Sequence, residues 1–193
     1  MELKDLKWNL GQINPSGIRP LAYFIHKKDI IAWPKIEDDL SAAQDIGEYV
    51  NYEGDFQLKA ATKWKTIYSS QGKGSATWEA MGEKDCKMFT NKATLSYPDI
   101  NDEGKAMTKA MVNDNVVIII PLPNKGRFLM LGNEYYDITW TPTGTTGDAP
   151  GSAKGITIEI EVPDTTPLPG YKGLLVLEDG TVDCETGEFT PTP

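Results

Sequence analysis

The run Val116-Val117-Ile118-Ile119-Ile120 is the clearest indication of the fold class of this chain. All five residues are apolar and β-branched, which is typical of a strand that is covered on both faces. The segment from Pro121 to Gly126 then turns the chain into another apolar run, Arg127 to Leu131. We therefore expect residues 116–120 to form the central strand of a sheet.

In the segment before this strand, the apolar residues follow a different repeat. Apolar residues recur at helical spacing between positions 100 and 111, and Asn101, Asp102 and Glu103 suit a helix N-terminus. The sequence predicts one helix, at about 101–113. Residues 99–104 also imitate the start of a calcium loop, but Ala110 stands where that loop needs a bidentate Glu. Helix capping is the favoured explanation of these polar residues.

Strict alternation marks a strand farther along the chain, at residues 156–162. Four apolar residues lie on one face, and Thr157, Glu159 and Glu161 lie on the other. The pattern predicts one buried and one solvent-exposed face. Glu159 and Glu161 lie on one strand face, where two carboxylates could form a glycosidase dyad. Alternation by itself produces such a pair on any half-exposed strand. A solvated face is therefore the favoured interpretation.

Short β-rich runs separated by turn signals account for most of the remaining chain. The first is expected to be a hairpin, from Arg19 to Trp33. Further strands are predicted within 54–68, 75–80, 85–97, 127–131 and 135–141. The connections at 35–51 and 143–155 are too long for plain hairpin turns. The sequence thus predicts a mainly β fold, with many strands around one helix.

The C-terminal part combines proline with acidic residues. A proline-rich hinge at 165–170 precedes two short segments, Leu174 to Leu177 and Thr181 to Cys184. The Asp-Gly pair between them predicts that they form a small hairpin. We expect a main domain at 1–164 and a hinge with an acidic C-terminal hairpin or extension at 165–193. Residues 154–193 contain eight acidic residues and two lysines, which give −6 of the total charge of −9.

Composition excludes several classes of function. A charge of −9 argues against DNA binding through clustered Lys and Arg. His26 is the only histidine, and Cys86 and Cys184 lack metal-site or redox spacing, so two ordinary thiols are expected. No combination of nucleophile, base and oxyanion site is evident. We expect no catalytic residue, no metal site and no cofactor.

Targeting signals are also not evident in the sequence. The first residues, from Met1 to Asp5, alternate charge with leucine and do not resemble a secretory signal. No run of eighteen apolar residues suggests a membrane span. These patterns favour a chain that is made and folded in a cytoplasm.

Five stretches in the order of the chain resemble a known family. They are Gly74 to Asp85, the helix before Val116, Gly126 to Glu134, Thr143 to Asp148, and Pro169 to Gly173. With these glycine-based motifs, the region from about 54 to 171 resembles the tail tube proteins of long-tailed bacteriophages, in a form met in prophage-like sequences of Bacteroidetes.

The resemblance implies a β-sandwich or half-open β-barrel with one flanking helix. It also implies that six copies join sheet edges into a ring, and that rings stack through an extended loop and the termini into a hollow tube for genome passage. Such a virion protein would assemble in the host cytoplasm with itself and other tail proteins, and would then reside in the tail. DNA would pass an acidic lumen without sequence-specific binding, and no membrane would be involved. On this basis Glu159 and Glu161 are expected to face the lumen, and the 35–51 and 143–155 segments to stack rings.

Two alternatives remain open at the level of the sequence. A carbohydrate-binding or adhesin-like β-sandwich is supported by the aromatic residues, of which Trp64, Tyr68, Trp78 and Tyr97 are candidates for a stacking platform. Packing in the core explains the same four residues. A different virion part, such as a tail terminator, neck or head-decoration protein, would share the fold and chemistry of a tube protein.

Overall fold

The structure of the protein is a computed structural model that describes residues 5–192. Within that range the chain is mainly β with one α-helix, which confirms the predicted fold class. The helix α1 spans Asp102–Met111, and a 3-10 turn spans Lys27–Asp29. The strands are β1 (Leu21–His26), β2 (Ile30–Ala32), β3 (Asn51–Tyr52), β4 (Gln57–Leu58), β5 (Lys65–Tyr68), β6 (Ser75–Met81), β7 (Met88–Tyr97), β8 (Val116–Pro121), β9 (Phe128–Leu131), β10 (Thr139–Thr145), β11 (Gly155–Asp164), β12 (Gly170–Tyr171), β13 (Leu174–Val176), β14 (Gly180–Asp183) and β15 (Glu188–Pro191).

The predicted central strand is β8, in the interior of a six-stranded sheet with the order β3-β12-β9-β8-β1-β5. All six residues of β8 are buried. Ile118 and Ile120 belong to one hydrophobic core, and Val117 and Ile119 belong to a second core on the opposite face. This burial on both faces explains why the strand is apolar throughout.

A four-stranded antiparallel sheet, in the order β10-β11-β7-β6, covers one face of the six-stranded sheet. Ile158, Ile160 and Leu95 are buried in the core that the two sheets share. The helix contributes the buried Met111 to the same core. The two sheets with their flanking helix form the sandwich-like arrangement that was expected.

The predicted C-terminal hairpin is present, and β15 extends it to a three-stranded sheet. Leu175, Val182 and Cys184 are buried in the second core, together with Tyr23 and Ile119 of the six-stranded sheet. The C-terminal sheet therefore forms a third layer. The division of the chain near residue 164 stays a prediction.

The hairpin expected at Arg19 to Trp33 is wrong. The strands β1 and β2 do form, but β1 pairs with β8 and β5, whereas β2 pairs with β4. The 3-10 turn at Lys27–Asp29 redirects the chain between them. The middle four residues of β1 are all buried, because Ala22 and Phe24 lie in the first core while Tyr23 and Ile25 lie in the second.

The helix begins as the sequence predicts and ends two residues earlier than expected. The side chain of Asn101 caps it, because Asn101 Oδ1 accepts a hydrogen bond of 2.8 Å from Gly104 N. Asp99 accepts a hydrogen bond from Ile100 N and forms an ion pair of 2.6 Å with Lys154. The residues that imitate a calcium loop thus cap and anchor the helix.

The long connection expected at 143–155 is shorter in the structure. Strand β10 continues to Thr145, which pairs with Gly155 of β11, so only residues 146–154 form the loop. Within this loop Ser152 Oγ donates a hydrogen bond of 2.6 Å to Asp148. The connection at 35–51 consists largely of turns and ends where β3 begins.

Candidate functional site

The outward side of the four-stranded sheet, opposite the first core, is covered by hydroxyl and charged side chains. We call this surface the polar face. Directly paired residues of neighbouring strands project from the same side of a sheet, so the register fixes its composition. At one end of the sheet the same side carries Met81, Met88, Thr90 and Pro163. Its other members in β10, β11, β7 and β6 are Thr139, Thr141, Thr143, Thr145, Thr157, Glu159, Glu161, Lys92, Thr94, Ser96, Ser75, Thr77 and Glu79.

The two glutamates that the sequence singles out both lie on the polar face. Strand β11 alternates as predicted, since Ile158 and Ile160 are buried while Glu159 and Glu161 are exposed. Glu159 lies between Thr141 of β10 and Thr94 of β7. The structure therefore places both carboxylates on one exposed surface, within a field of hydroxyl groups.

Lys92 partly neutralises the acidic residues of the polar face. Its Nζ lies 2.6 Å from Glu79 Oε1 and 3.7 Å from Glu161 Oε2. The hydrogen bond from Lys92 to Glu79 is the main reason that the pKa of Lys92 is raised. All three side chains are exposed, so these ion pairs contribute little to stability. The polar face carries three carboxylates and one ammonium group, and is mildly rather than strongly acidic.

Both edges of the four-stranded sheet are free within the described chain, because β6 and β10 each pair with one neighbour only. Strand β6 is seven residues long and contains no proline and one charged residue, Glu79. Natural proteins usually protect such an edge with charges, prolines or bulges. Strand β10 contains Pro142, which removes a single backbone donor. Both edges, and β6 above all, are suited to pairing with another strand.

The acidic residues of the C-terminal region lie in different layers. Glu159 and Glu161 are on the polar face, whereas Asp164 is buried. Glu178 and Glu188 are exposed in the C-terminal sheet, which packs on the other side of the six-stranded sheet. The excess of acid in residues 154–193 is therefore divided between two distant surfaces, which the sequence by itself does not reveal.

The remaining candidate residues lie apart from the polar face. Cys86 is exposed between β6 and β7, and Cys184 is buried, so the two thiols are free and unpaired. Burial raises the pKa of the Cys184 thiol well above its ordinary value. His26 Nδ1 lies 2.8 Å from Asp114 Oδ2 at the end of β1. Cys86, Cys184 and His26 therefore make no contact with the carboxylates of the polar face.

The four aromatic residues considered for sugar stacking do not form one platform. Trp64 is buried in the second core against Phe56, while Tyr97 packs against the first core. A different groove, of about 460 Å³, contains Trp33, Tyr52 and Tyr135 together with Asp38 and Glu134. These residues come from separate loops and strands, so no sequence motif identifies the groove.

Among residues 5–192, no group of three or more His, Cys, Asp or Glu side chains is arranged to hold a metal ion. In the same part of the chain, no helix is long and apolar enough to cross a membrane.

Comparison with known proteins gives no family assignment. No family model matches the chain, and no curated protein and no solved structure is detectably similar to it.

Proposed function

We propose that this chain is a non-enzymatic structural subunit that joins copies of itself into rings, and that the rings stack into a tube of the phage-tail type. The observation that carries the proposal is the four-stranded sheet, which has a polar outer face, an apolar inner face and two free edges. The resemblance of residues 54–171 to tail tube proteins supports the same function. Assembly would take place in the host cytoplasm, before the tube becomes part of a virion tail.

The directions of the edge strands support a closed ring. Three antiparallel pairings separate β10 from β6, so the two edge strands run in opposite directions. Rotation about a ring axis keeps every copy in the same orientation, and β6 of one copy therefore meets β10 of the next as an antiparallel pair. This contact joins two different surfaces, which is the type of interface that generates rings.

Ring closure would place the polar face on the inside. The first core covers the inner face of β10, β11 and β7, whereas Trp78 and Ala80 on the inner side of the edge strand β6 stay exposed. The polar face is therefore the continuous surface that is available to line a channel. Six copies, the number that the resemblance implies, would give a barrel of about twenty-four strands. Barrels of roughly 16–18 strands already leave an aqueous channel. The proposed barrel would therefore have an open lumen.

The chemistry of the polar face suits a channel through which DNA passes. Among the residues that the register places on the polar face, Lys92 is the one cationic residue, and it forms an ion pair with Glu79. Without clustered Lys or Arg, the surface offers DNA phosphates no strong electrostatic attraction. Glu159 and Glu161 would add a weak repulsion. Lumen residues of this kind would let the genome pass without holding it.

Electron microscopy over a concentration series tests the proposal directly. Negatively stained samples of the full chain are expected to show rings, and rods of uniform diameter at higher concentration. Monodisperse monomer at every concentration, confirmed by light scattering after size-exclusion chromatography, would overturn it. Rings that never stack would instead favour a neck, tail-terminator or decoration protein.

Charge substitutions at the two edges test the proposed joint. Thr77 of β6 and Thr141 of β10 both project from the polar face beside a free edge. The double variant Thr77→Glu with Thr141→Glu is expected to raise the assembly concentration at least tenfold, because like charges would face each other across the joint. The pair Thr77→Glu with Thr141→Lys should restore assembly. Thr190→Glu, on the C-terminal sheet, is the matched control.

A carbohydrate-binding function is the second candidate. The groove with Trp33, Tyr52 and Tyr135 favours it, because aromatic faces next to carboxylates are suited to sugar rings. Binding on a glycan array that Tyr135→Ala abolishes, in a protein that stays monomeric, would favour this function over the tube.

A further inference from the structure

The first described residues form an exposed segment with an unusual apolar content. We call residues 5–17 the N-terminal arm; every one of them is exposed. The exposed fractions of Leu6, Trp8, Leu10 and Ile13 are 104%, 59%, 96% and 85%. Single exposed apolar residues are common in proteins, but four within eight positions are typical of a segment that binds another surface.

The arm lacks regular secondary structure and is exposed along its length, with one turn in which Gln12 N donates to Asn9 O at 3.2 Å. Leu6, Trp8 and Leu10 alternate with polar residues, so they share one side of an extended segment. Gly11 and Gly17 have φ values of +85° and +87°, which glycine adopts readily, and a Cβ at either position would meet nothing within 4 Å. Gly11 lies in the turn within the arm, and Gly17 lies where the arm joins the domain.

The arm leaves the body next to the free edge of β6. Ile18, the residue after the arm, packs against the first core and fills the space beside Gly74, where a Cβ would collide with its side chain. Gly74 directly precedes Ser75, the first residue of β6. The arm therefore begins where the proposed joint to a neighbouring copy begins.

An apolar groove follows the opposite free edge of the same sheet. It lies between α1 and β10, has a volume of about 220 Å³, and is lined by Ile100, Lys109, Pro142, Gly144 and Ile156, among others. In the proposed ring, β6 of one copy lies beside β10 of the next. The start of one copy's arm and this groove of the next copy would then be close together.

We infer that the N-terminal arm crosses the joint and inserts the Trp8 side chain into the groove between α1 and β10 of the neighbouring copy. This inference rests on the proposed ring, to which it adds a second contact. Trp8 lies ten positions before Ile18, and the chain turns between Asn9 and Gln12. The six residues from Gln12 to Gly17 alone can span about 20 Å. Adjacent strands are only about 5 Å apart, so the reach is ample. Lys109 lies at the groove, where its ammonium group would favour the face of an indole ring.

Disulfide trapping between separate chains tests the contact. In a Cys86→Ser background, a chain with Trp8→Cys is mixed with a mass-tagged chain carrying Lys109→Cys, and the mixture is oxidised. Cys184 is buried and does not compete. We expect a mixed disulfide between the two chains. The matched control is Asn9→Cys, which projects from the other side of the extended arm; a yield no higher than this control would overturn the inference.

A chain that carries both Trp8→Cys and Lys109→Cys tests whether the arm docks on its own body instead. Cross-linked monomer as the main product would show that the groove is filled within one chain, and would overturn the inference. Cross-linked multimers are the expected product.

Assembly of single variants separates this inference from the proposed ring. Trp8→Ser is expected to raise the assembly concentration at least tenfold, and Asn9→Ser to leave it unchanged. Wild-type rings that persist unchanged in Trp8→Ser, without the mixed disulfide, would overturn the arm contact and leave the ring proposal intact. A mixed disulfide in a protein that forms no rings would support the arm contact and overturn the ring.

Discussion

Three buried polar residues hold the crossover from the four-stranded to the six-stranded sheet. Asn91 Nδ2 donates to Thr166 O and Asn91 Oδ1 accepts from Leu168 N, both at 2.9 Å. Asn133 Nδ2 donates to Asp164 Oδ2 at 2.9 Å, and Asp164 Oδ1 accepts from Thr166 N at 3.0 Å. The segment predicted as a proline-rich hinge is thus fixed by hydrogen bonds from both sides.

Removing the amide of Asn133 should be costly. In Asn133→Ala the buried carboxylate of Asp164 loses a donor, and the backbone N–H groups of Tyr135 and Tyr136 lose their acceptor. We expect the free energy of unfolding in urea to fall by about 2–4 kcal/mol. Asn113→Ala, at an exposed position after the helix, should change it by less than about 0.5 kcal/mol. A loss below 1 kcal/mol for Asn133→Ala would show that water replaces the amide.

The pH dependence of stability should differ in sign between two aspartates. Partial burial raises the pKa of Asp114, but the charge of His26, the N–H of Asn115 and the charge of Lys28 outweigh it, and the net pKa lies below the ordinary 3.8. A lowered pKa in the folded state stabilises the protein above pH 3.8, and this contribution is lost as the pH falls. The wild type should therefore exceed Asp114→Asn in stability at pH 7, with a gap that narrows below pH 3.8.

The pKa of Asp164 is shifted in the opposite direction to that of Asp114. Burial of Asp164 raises its pKa above 3.8, despite the hydrogen bonds that it accepts from Asn133 and Thr166. A raised pKa of an acid means that its contribution to stability falls as the pH rises through 3.8. The free energy of unfolding in urea should therefore differ less between the wild type and Asp164→Asn at pH 7 than at pH 3. Parallel trends for Asp114 and Asp164 would contradict both assignments.

Strand β11 has one buried and one exposed face, because apolar and polar residues alternate along it. Ile160→Ala creates a cavity in the first core and should lower the free energy of unfolding by about 2–5 kcal/mol. Glu161→Ala, one residue away, should change it by less than about 0.5 kcal/mol, because Lys92 keeps its contact with Glu79. Chemical denaturation of the two variants checks the register. Equal losses would mean that the polar face is not the exposed one.

The pairing of strands β1 and β2 is not encoded in their local sequence. Both segments are strands, as their composition predicts, yet they do not pair with each other. A turn between two apolar runs is compatible with a hairpin, and equally with two strands that each pair with a different partner. The partners of β1 come from positions 65–68 and 116–119, far along the chain, and no local pattern encodes them.

Limited proteolysis tests whether the C-terminal sheet is firmly packed on the six-stranded sheet. Lys7 lies in the N-terminal arm, whereas Lys172 follows the crossover and forms an ion pair of 2.8 Å with Glu53. Trypsin should cleave after Lys7 first and after Lys172 last, because the C-terminal sheet shares the second core with the six-stranded sheet. Early release of a fragment that ends at Lys172 would instead support a separately mobile C-terminal unit.

Local sequence patterns are sufficient to predict the strands at residues 116–120 and 156–162, the capped helix after Asn101 and the C-terminal hairpin. They are sufficient because burial imposes a period on each element, and the period is visible in adjacent residues. Tertiary structure alone decided that the C-terminal sheet is a third layer, that Lys92 lies between Glu79 and Glu161, and that β6 and β10 keep free edges. Those features depend on which distant segments pack together to bury their apolar faces, and side-chain pairing between them follows from that packing.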